Sequence, residues 1–563
     1  SKGLAAALTR GLDAMDNAYG RMLSVALRHR FLVITSILGL FVGSLFLLKK
    51  IGTEFFPQTD ESQLTVMYKS PIGTRVERTE LVAARLEDTV TRALGPAKGR
   101  PALFFTQLSD SGLPLGRTAI FSTNTGQHAG NLNVNLIPKL QRDVSDVDAV
   151  ELIRAALKQD FPGTQVTFFA GGIVKRITNF GSPAPIDVEI LGFDLQDGAE
   201  YAKKLLPKLR ELSDSEGRPL LTDLQISREE YYPEIDFTVD REKAGTLGIS
   251  EQDVPQTVLT SLVGNTQFAP IPFIDKKTGN EYFINVRMAD RFRSNVADMN
   301  DLYLRAKGGG LVSLANVASL ERSSGPVMIT RKYLQRIIDV TANVAPGKDL
   351  GTASAAVEKV LADTPPPDGF TVQAGGQTLA QKQAFSGLGM AGIMALALVY
   401  MVLASQFKSL VDPLVIMFSV PLGVTGVFAM LYATKTTLSV NSVMGIIMMI
   451  GIVVSNGVLL VDFANVLRSR GKPLIEATVE AARTRLRPIL MTTIATIVGL
   501  VPMALGIGEG SEANLPLARA VIGGLTVSTF FTLFLIPSLY TLLERFAKRE
   551  GRDETEDGDP VEA

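Results

Sequence analysis

Six long apolar stretches interrupt this chain of 563 residues, and a long block of mixed composition separates the first stretch from the second. The six stretches lie at about 31–48, 385–405, 410–433, 440–466, 489–507 and 517–542. Because an α-helix of ~20 residues crosses the ~30 Å hydrocarbon core of a bilayer, each stretch is long enough to span a membrane. The layout predicts an integral membrane protein with six transmembrane helices and one large domain on one face of the membrane.

Composition argues against several classes of function. The net charge is −1, so the chain has no overall positive field that would attract nucleic acid. It has no cysteine and two histidines, and we therefore expect no disulfide, no thiolate chemistry and no metal site. The sequence also has no nucleophile–base set and no phosphate-binding loop, so we expect a protein that is not an enzyme.

Lysine and arginine in the short loops predict the orientation in the membrane. The loop 468–487 and the segment after 543 are rich in these residues, whereas the loops 434–439 and 508–516 carry one lysine and two glutamates. The basic segments are therefore predicted to be cytoplasmic. Counting back through the spans then places the large domain outside the cytoplasm.

The two ends of the chain differ in character. Residues 1–30 hold an amphipathic run that predicts a helix lying along the membrane surface before the first span at 31–50. The chain begins at Ser1 without Met, so we expect it to be the later part of a longer protein. Residues 546–563 are acidic and are expected to form a disordered tail after the five spans within 384–545.

The large domain begins with alternating strand and helix patterns. Apolar alternation predicts strands, and apolar positions at helical spacing predict the helices between them. In the first part, 51–182, strands are predicted at 64–69, 102–108, 117–123, 131–137 and 165–169, and helices at 75–95 and 146–160. This order, β-α-β-β-α-β give or take a strand, is typical of a ferredoxin-like α+β unit.

A second unit of the same kind is predicted in two pieces, 183–230 and 327–383, with the segment 231–326 inserted between them. A strand, a Pro-Gly turn and an amphipathic helix recur at 64–90 and 337–362, which indicates weak internal duplication. The predicted fold is therefore an α-helical membrane bundle with an α+β domain of two ferredoxin-like units and one insertion.

Polar side chains are scarce in the predicted spans, and a charge in hydrocarbon is unfavourable enough to mark a functional position. In the fourth span, Ser455 and Asn456 lie at mid-membrane, and Asp462 shares a face with Ser455 because seven residues separate them. In one interpretation these residues form a wall of a proton or ion path. In the other, Ser455 and Asn456 bond neighbouring helices and Asp462 lies at the membrane interface. Thr492 in the fifth span also allows two interpretations, because its hydroxyl can simply bond a carbonyl of the preceding turn.

Several longer motifs match a known pattern. They are GTEFFP at 52–57, DREKAGTLGIS at 240–250, VAPG at 344–347, VPLG at 420–423, GIVVSNGVLLVDFAN at 451–465 and LIEATVEAARTRLRPILMTT at 474–493. Together they resemble the C-terminal half of resistance-nodulation-division (RND) efflux permeases, in the hydrophobe/amphiphile branch that includes the acriflavine-resistance pump. The similarity covers nearly the whole chain except the acidic tail.

The resemblance implies a protein of twelve spans in two halves, of which this chain is the second. It implies a homotrimer in the bacterial inner membrane, with a periplasmic domain of two porter subdomains and with 231–326 as a docking subdomain. It also implies exchange of protons for drug-like or amphiphilic substrates, driven by the proton-motive force without a cofactor. The implied partners are the N-terminal half, a periplasmic adaptor protein and an outer-membrane channel.

The proton relay of this family centres on an aspartate pair in the fourth span of the N-terminal half, which this chain does not contain. The partner position in this half is lysine in many members and Ser455 here. Arg485 and Thr492 match positions that the family associates with the relay. A permanent cation tunes the pKa of neighbouring carboxylates. We therefore expect either that Asn456 and Arg485 compensate for the lost lysine or that the coupling chemistry differs.

In multidrug members, the substrate pocket is rich in phenylalanine around a flexible loop of the first porter unit. The matching residues here are Phe104, Phe105 and Phe121, and the stretch Ser109–Gly116 has no aromatic residue. Phe168 and Phe169 are further candidates for the pocket wall. Each of these residues is alternatively a core residue.

Three other functions stay open. A protein-export accessory of the SecDF type and a lipid or sterol transporter belong to the same superfamily and share the layout of six spans. A non-transporting scaffold or sensor is the third, because a half without the aspartate pair cannot run the proton cycle. The long duplicated porter region and its insertion favour an efflux transporter over the export accessory.

Overall fold

The computed structural model describes residues 2–96, 101–112, 124–161, 164–229, 231–266, 269–508 and 510–543, with only the backbone of 2–12. Two helices precede the large domain, α1 (Lys2–Arg28) and α2 (Arg30–Leu48). Helix α1 is fixed to the bundle, since the hydroxyl of Tyr19 donates a 2.7 Å hydrogen bond to the carbonyl of Leu533. Arg487 also forms an ion pair of 2.7 Å with Asp16.

The first unit of the large domain is a four-stranded antiparallel sheet covered by helices. Its elements are β1 (Gln63–Lys69), α3 (Val76–Leu94), β2 (Phe104–Ser111), β3 (Ala129–Leu136), α4 (Asp146–Asp160), β4 (Gln165–Ala170) and the short α5 (Ile173–Thr178). The strand order is β2-β3-β1-β4. Leu64 of the sheet packs with Leu86 and Ile153 of the two long helices in one core. The strand predicted at 117–123 lies outside the described residues.

The chain then starts a second unit, leaves it for an insertion and returns. The first piece of the unit is β5 (Ile186–Gly192), α6 (Leu195–Arg210) and β6 (Leu221–Ile226). The insertion contains β7 (Tyr232–Val239), α7 (Arg241–Thr246), α8 (Asp253–Leu262), β8 (Ile271–Ile274), β9 (Glu281–Ile284), β10 (Tyr303–Arg305), β11 (Leu311–Ser313) and β12 (Ala318–Gly325). Strands β7 and β12 pair along their whole lengths as a stem. Strands β8 and β9 form a hairpin in which every residue is exposed.

The returning piece completes the second unit. It consists of β13 (Thr330–Lys332), β14 (Gln335–Val344), α9 (Leu350–Ala362) and β15 (Thr371–Gly375). The sheet order is β13-β14-β5-β15, with β6 also paired to β14. Strands β5, β6, β14 and β15 therefore take the places that β1, β2, β3 and β4 hold in the first unit.

The recurrence seen in the sequence does not relate equivalent parts of the two units. Its segments 64–90 and 337–362 contain β1–α3 and β14–α9. These are the first strand–helix pair of one unit and the second pair of the other. The shared pattern reflects a central strand followed by a covering helix, and the duplication of whole units appears only in the strand order.

Six helices of the described chain are long and apolar enough to cross a membrane, which confirms the six predicted spans. After α2 they are α10 (Gly376–Phe407), α11 (Val411–Met417) with α12 (Ser419–Ala433), α13 (Val440–Ser469), α14 (Leu474–Ala504) and α15 (Leu515–Leu543). Helix α15 packs against α12, α13 and α14. Helix α10 follows β15 directly, and the stretch 410–433 divides near Phe418, because Pro421 has no N–H to bond a carbonyl of the preceding turn.

Candidate functional site

Helix α13 carries its polar residues on two sides. Ser455 and Asp462 are both exposed, so they share an open face as predicted from their spacing. Gly451 lies on the same face, and a side chain at that position would meet nothing within 4 Å. Asn456 is 8% exposed and lies on the side packed against the bundle. The structure therefore separates Asn456 from the face that Ser455 and Asp462 form.

Helix α14 brings Arg485 close to this part of α13. The guanidinium carbon of Arg485 lies 4.8 Å from the ring centre of Phe463, which follows Asp462 in the chain. Among the residues that the structure describes, the Nε atom of Arg485 is buried without a hydrogen-bond partner. Thr492 lies about two helical turns from Arg485. Its hydroxyl donates to the carbonyl of Ile489 at 3.0 Å, which is the bond to the preceding turn considered above.

A buried polar network at the end of the bundle near the basic loop was not predicted from the sequence. Asn465 of α13 donates a 3.2 Å hydrogen bond to Asp412 of α11 and accepts one of 2.6 Å from the hydroxyl of Tyr540 of α15. Three helices are joined at this point. The signal was present, because Asp412 is a charged residue inside the apolar stretch 410–433.

Arg519 makes a corresponding junction at the opposite end of the bundle. It donates to the hydroxyl of Thr436 at 2.6 Å and, through Nε, to the carbonyl of Ala504 at 3.1 Å. A cation beside the last carbonyls of a helix is favoured by the helix dipole. Arg519 is likewise a charge within an apolar stretch, 517–542, and its junction was not predicted from the sequence.

A cavity of about 660 Å³ lies where the two units of the large domain meet the loops at this end of the bundle. Its wall includes the segment 54–61 after α2, the start of α4, and Glu512 in the loop before α15. Phe168 and Phe169 also contribute to the wall. The two residues are adjacent on the edge strand β4 and both are 3% exposed.

The other predicted pocket residues do not line this cavity. Phe104 packs against the core of the first unit, and Phe105 is 65% exposed on the sheet. Phe121 lies outside the described residues. The structure thus brings two of the five phenylalanines to one cavity, and the sequence pattern that suggested the others does not lead to a common site among the described residues.

Charged residues give the cavity a negative character. The lining carboxylates are Glu54, Asp60, Glu61, Asp146, Asp148, Glu151, Asp223 and Glu512, and the lining cations are Lys139, Arg154 and Lys175. Burial raises the pKa of the Asp146 carboxyl to about 6, although Lys175 acts in the opposite direction. Burial also raises the pKa of Glu54, which accepts a 2.9 Å hydrogen bond from the hydroxyl of Thr437. These carboxylates show no common pattern in the sequence, because the elements that carry them are far apart in the chain.

Comparison with known proteins gives a consistent result. The chain matches the AcrB/AcrD/AcrF family over residues 1–544. It is 29% identical to the swarming motility protein SwrC of Bacillus subtilis (strain 168), in a match that covers 96% of this chain and 48% of SwrC. It is 25% identical to the toluene efflux pump membrane transporter TtgB of Pseudomonas putida, in a match that covers 98% of this chain and 51% of TtgB.

Solved structures agree with these sequence matches. The fold superposes on a heavy metal efflux pump, crystal form I, with a TM-score of 0.75 and 27% sequence identity, covering 95% of this chain and 53% of that one. The chain spans about half the length of the curated relatives that it matches. The family match over 544 residues, the six apolar helices and the superposition lead to one conclusion. The chain belongs to the AcrB/AcrD/AcrF family of RND efflux permeases, which are membrane transporters and not enzymes.

Proposed function

We propose that this chain is the C-terminal half of a proton-driven transporter that exports drug-like or amphiphilic compounds. The open polar face of α13, with Ser455 and Asp462 exposed, carries the proposal. A carboxylate that faces lipid from a membrane-spanning helix is unfavourable. A second protein surface therefore covers this face, and the half-length match to the relatives makes the N-terminal half the covering partner.

The proton path is proposed to run along this covered face. Ser455 and Asp462 form one wall, and Arg485 places a guanidinium beside the same helix. Aspartates from the N-terminal half would titrate opposite them. Because Ser455 is neutral, Arg485 is the cation of this half that tunes those aspartates, and its buried Nε still has hydrogen-bonding capacity among the described residues.

The two units are proposed to be ferredoxin-like porter subdomains in the periplasm, with the insertion as the docking subdomain. Their shared strand order and the basic loop at the opposite end of the bundle support this assignment. In the hairpin β8–β9, Phe273 is 55% exposed and Phe283 is 59% exposed. An exposed apolar hairpin fits contact with another subunit, which supports an inner-membrane homotrimer that works with an adaptor and an outer-membrane channel.

The cavity between the units is proposed to lie on the substrate path. Its volume of about 660 Å³ is within the range of roughly 300–1,000 Å³ that is typical of small-molecule sites. Phe168 and Phe169 add aromatic surface to its wall. The protein as a whole would pass substrate from this cavity to the outer-membrane channel as the two units move apart and together.

Two contacts are proposed to transmit movement from the bundle to the units. The N–H of Glu54 donates to the carbonyl of Leu438 at 3.0 Å, which joins the segment after α2 to the loop before α13. Lys139 of the first unit forms an ion pair with Glu512 in the loop before α15. A shift of α13 or α15 upon protonation would therefore reach the first unit through these two contacts.

Organic compounds are favoured over metal ions as substrates. The similar solved structures are described as heavy metal efflux pumps, but within the described ranges no group of three His, Cys, Asp or Glu side chains is placed to hold a metal ion. The remaining alternatives are the export accessory, the lipid transporter and the scaffold. All of them lack a specific observation in their favour here.

The test uses the complete transporter in a bacterial host whose own efflux pumps are deleted. Arg485→Ala should abolish resistance to exported compounds while the trimer still assembles, as measured by growth on a compound panel and by native electrophoresis. Arg470→Ala, an exposed arginine after α13, is the matched control and should keep resistance. Full resistance with Arg485→Ala would contradict the assigned role of Arg485, and no export by the unmodified protein would contradict the proposed function.

A further inference from the structure

We propose that the cavity between the two units selects organic cations, with the positive group beside Asp146 and Glu54 and the apolar body against Phe169 and its neighbours. The inference rests on the proposed function, because it names the substrate class of the same cavity. Three features support it: an unpartnered buried carboxylate, a surplus of negative charge and an apolar wall.

Asp146 is the group that indicates a ligand. Its side chain lines the cavity and is only 2% exposed. One carboxylate oxygen, Oδ1, accepts a 2.8 Å hydrogen bond from the N–H of Val147. The other, Oδ2, is buried without a hydrogen-bond partner in the described part of the chain. A carboxylate oxygen that has lost water without gaining a partner is stabilised by a cation that approaches it.

Most other charges of the cavity already have partners. Arg154 holds Asp223 at 2.8 Å, and Lys139 pairs with Glu512. Asp60 forms an ion pair with Arg142, which is not one of the lining residues. After these pairs are formed, the remaining lining carboxylates of the described residues outnumber the remaining lining cation, Lys175, although Arg142 outside the lining also acts on Asp146 through its charge. Lys175 influences Glu54 and Asp146 only through its charge, so its ammonium group does not occupy the free oxygen of Asp146.

The rest of the wall suits a large apolar body. Phe169 is 3% exposed, and Val150, Val174 and Leu350 line the cavity with it. A ligand that combines apolar surface with one diffuse positive charge meets both parts of this wall, whereas an anion of the same shape would meet the uncompensated carboxylates. A metal ion would need converging ligands, and the described residues offer no such group.

The test compares tetraphenylphosphonium with tetraphenylborate, which have nearly the same shape and opposite charge. Binding to the detergent-purified full-length protein is measured at a pH at which Asp146 is ionised. The unmodified protein should bind the phosphonium at least about tenfold more tightly than the borate. Asp146→Asn should weaken phosphonium binding about tenfold and should leave borate binding equal or stronger, because one repelling charge is removed. Asp236→Asn, on the exposed side of β7, is the matched control and should change neither.

Glu54→Gln is the second variant, and it decides the question if Asp146→Asn fails to assemble. Equal affinity of the unmodified protein for the two ions would overturn the inference, and so would undiminished phosphonium binding in the assembled variants. Proton-driven export of a neutral amphiphile from proteoliposomes separates the two proposals. If the unmodified protein exports nothing, the proposed function fails, whereas the binding comparison still decides the charge preference of the cavity.

Discussion

The carboxylate of Asp349 accepts a 3.0 Å hydrogen bond from the N–H of Thr53, which joins the start of α9 to the segment that leaves α2. The same carboxylate accepts a 2.9 Å bond from the N–H of Thr352 and so caps α9. Thr53 also accepts a 2.9 Å bond from the N–H of Gly351. One side chain therefore stabilises a helix of the second unit and attaches that helix to the membrane bundle.

Asp349→Ala should reduce both stability and export. Loss of an aspartate cap lowers stability by about 0.5–2 kcal/mol, and the unpaired N–H of Thr53 adds to this loss. The matched control is Asp194→Ala, because Asp194 caps α6 through Gln196 and is not a partner of Thr53. We expect a lower thermal midpoint in both variants but reduced export only with Asp349→Ala. Equal export by the two variants would show that the attachment to Thr53 has no part in coupling.

A close helix contact between α12 and α15 leads to a second prediction. A Cβ atom on Gly426 would lie 2.3 Å from the carbonyl oxygen of Gly523 and 2.7 Å from the Cβ of Val527. Gly426→Ala should therefore push the helices apart and destabilise the bundle by about 1–3 kcal/mol. Gly389→Ala is the control, because a side chain there meets nothing within 4 Å. Thermal unfolding in detergent measures both, and an unchanged midpoint for Gly426→Ala would contradict the packing.

Buried carboxylates in the second sheet predict a dependence on pH. Glu189 of β5 pairs in register with Asp339 of β14, and Lys332 binds Glu189 at 2.6 Å. Burial raises the pKa of Asp187, and the charges of Asp339 and Glu189 raise it further. Burial also raises the pKa of Asp339, with Glu189 adding to the shift. The folded second unit therefore binds protons more tightly than the unfolded chain does.

The stabilisation from these protons has a definite sign. It is complete below the unfolded pKa of about 3.9, and it is lost as the pH rises through the raised folded values. The thermal midpoint of the full-length protein in detergent should accordingly fall between about pH 4 and neutral. Asp339→Asn, which resembles the protonated carboxyl, should flatten this fall, whereas the exposed control Asp363→Asn should preserve it. An unaltered slope with Asp339→Asn would refute the role of that group.

Elements with local signals were predicted closely. The helices expected at 146–160 and 350–362 are α4 and α9 with those same bounds. Each has an apolar face at helical spacing and a capping residue at its start, Ser145 or Asp349. The bounds were less accurate where neighbours decide them, as at Gly376, where α10 begins earlier than its apolar stretch because it continues directly from a sheet strand.

In the candidate site, too, relationships within one helix were predicted and contacts between distant helices were not. Helical spacing predicted that Ser455 and Asp462 share a face, since the geometry of one helix is enough to establish that relationship. The partners of Asp412 and Arg519 were not predicted, because Asn465 is 53 residues away from Asp412 and Thr436 is 83 residues away from Arg519. Contacts of that separation depend on how helices assemble and leave no periodic pattern in the sequence.

The sequence by itself determined that the chain has six spans, a large domain of strands and helices, and a family resemblance, because hydrophobicity, local spacing and motifs are properties of short segments. Only the tertiary structure decided that Asp146 and Phe169 meet at one cavity and that Asn456 lies apart from the open face of Ser455. The physical reason is that burial and charge pairing arise between elements, where packing sets which polar groups lose water and which of them find partners.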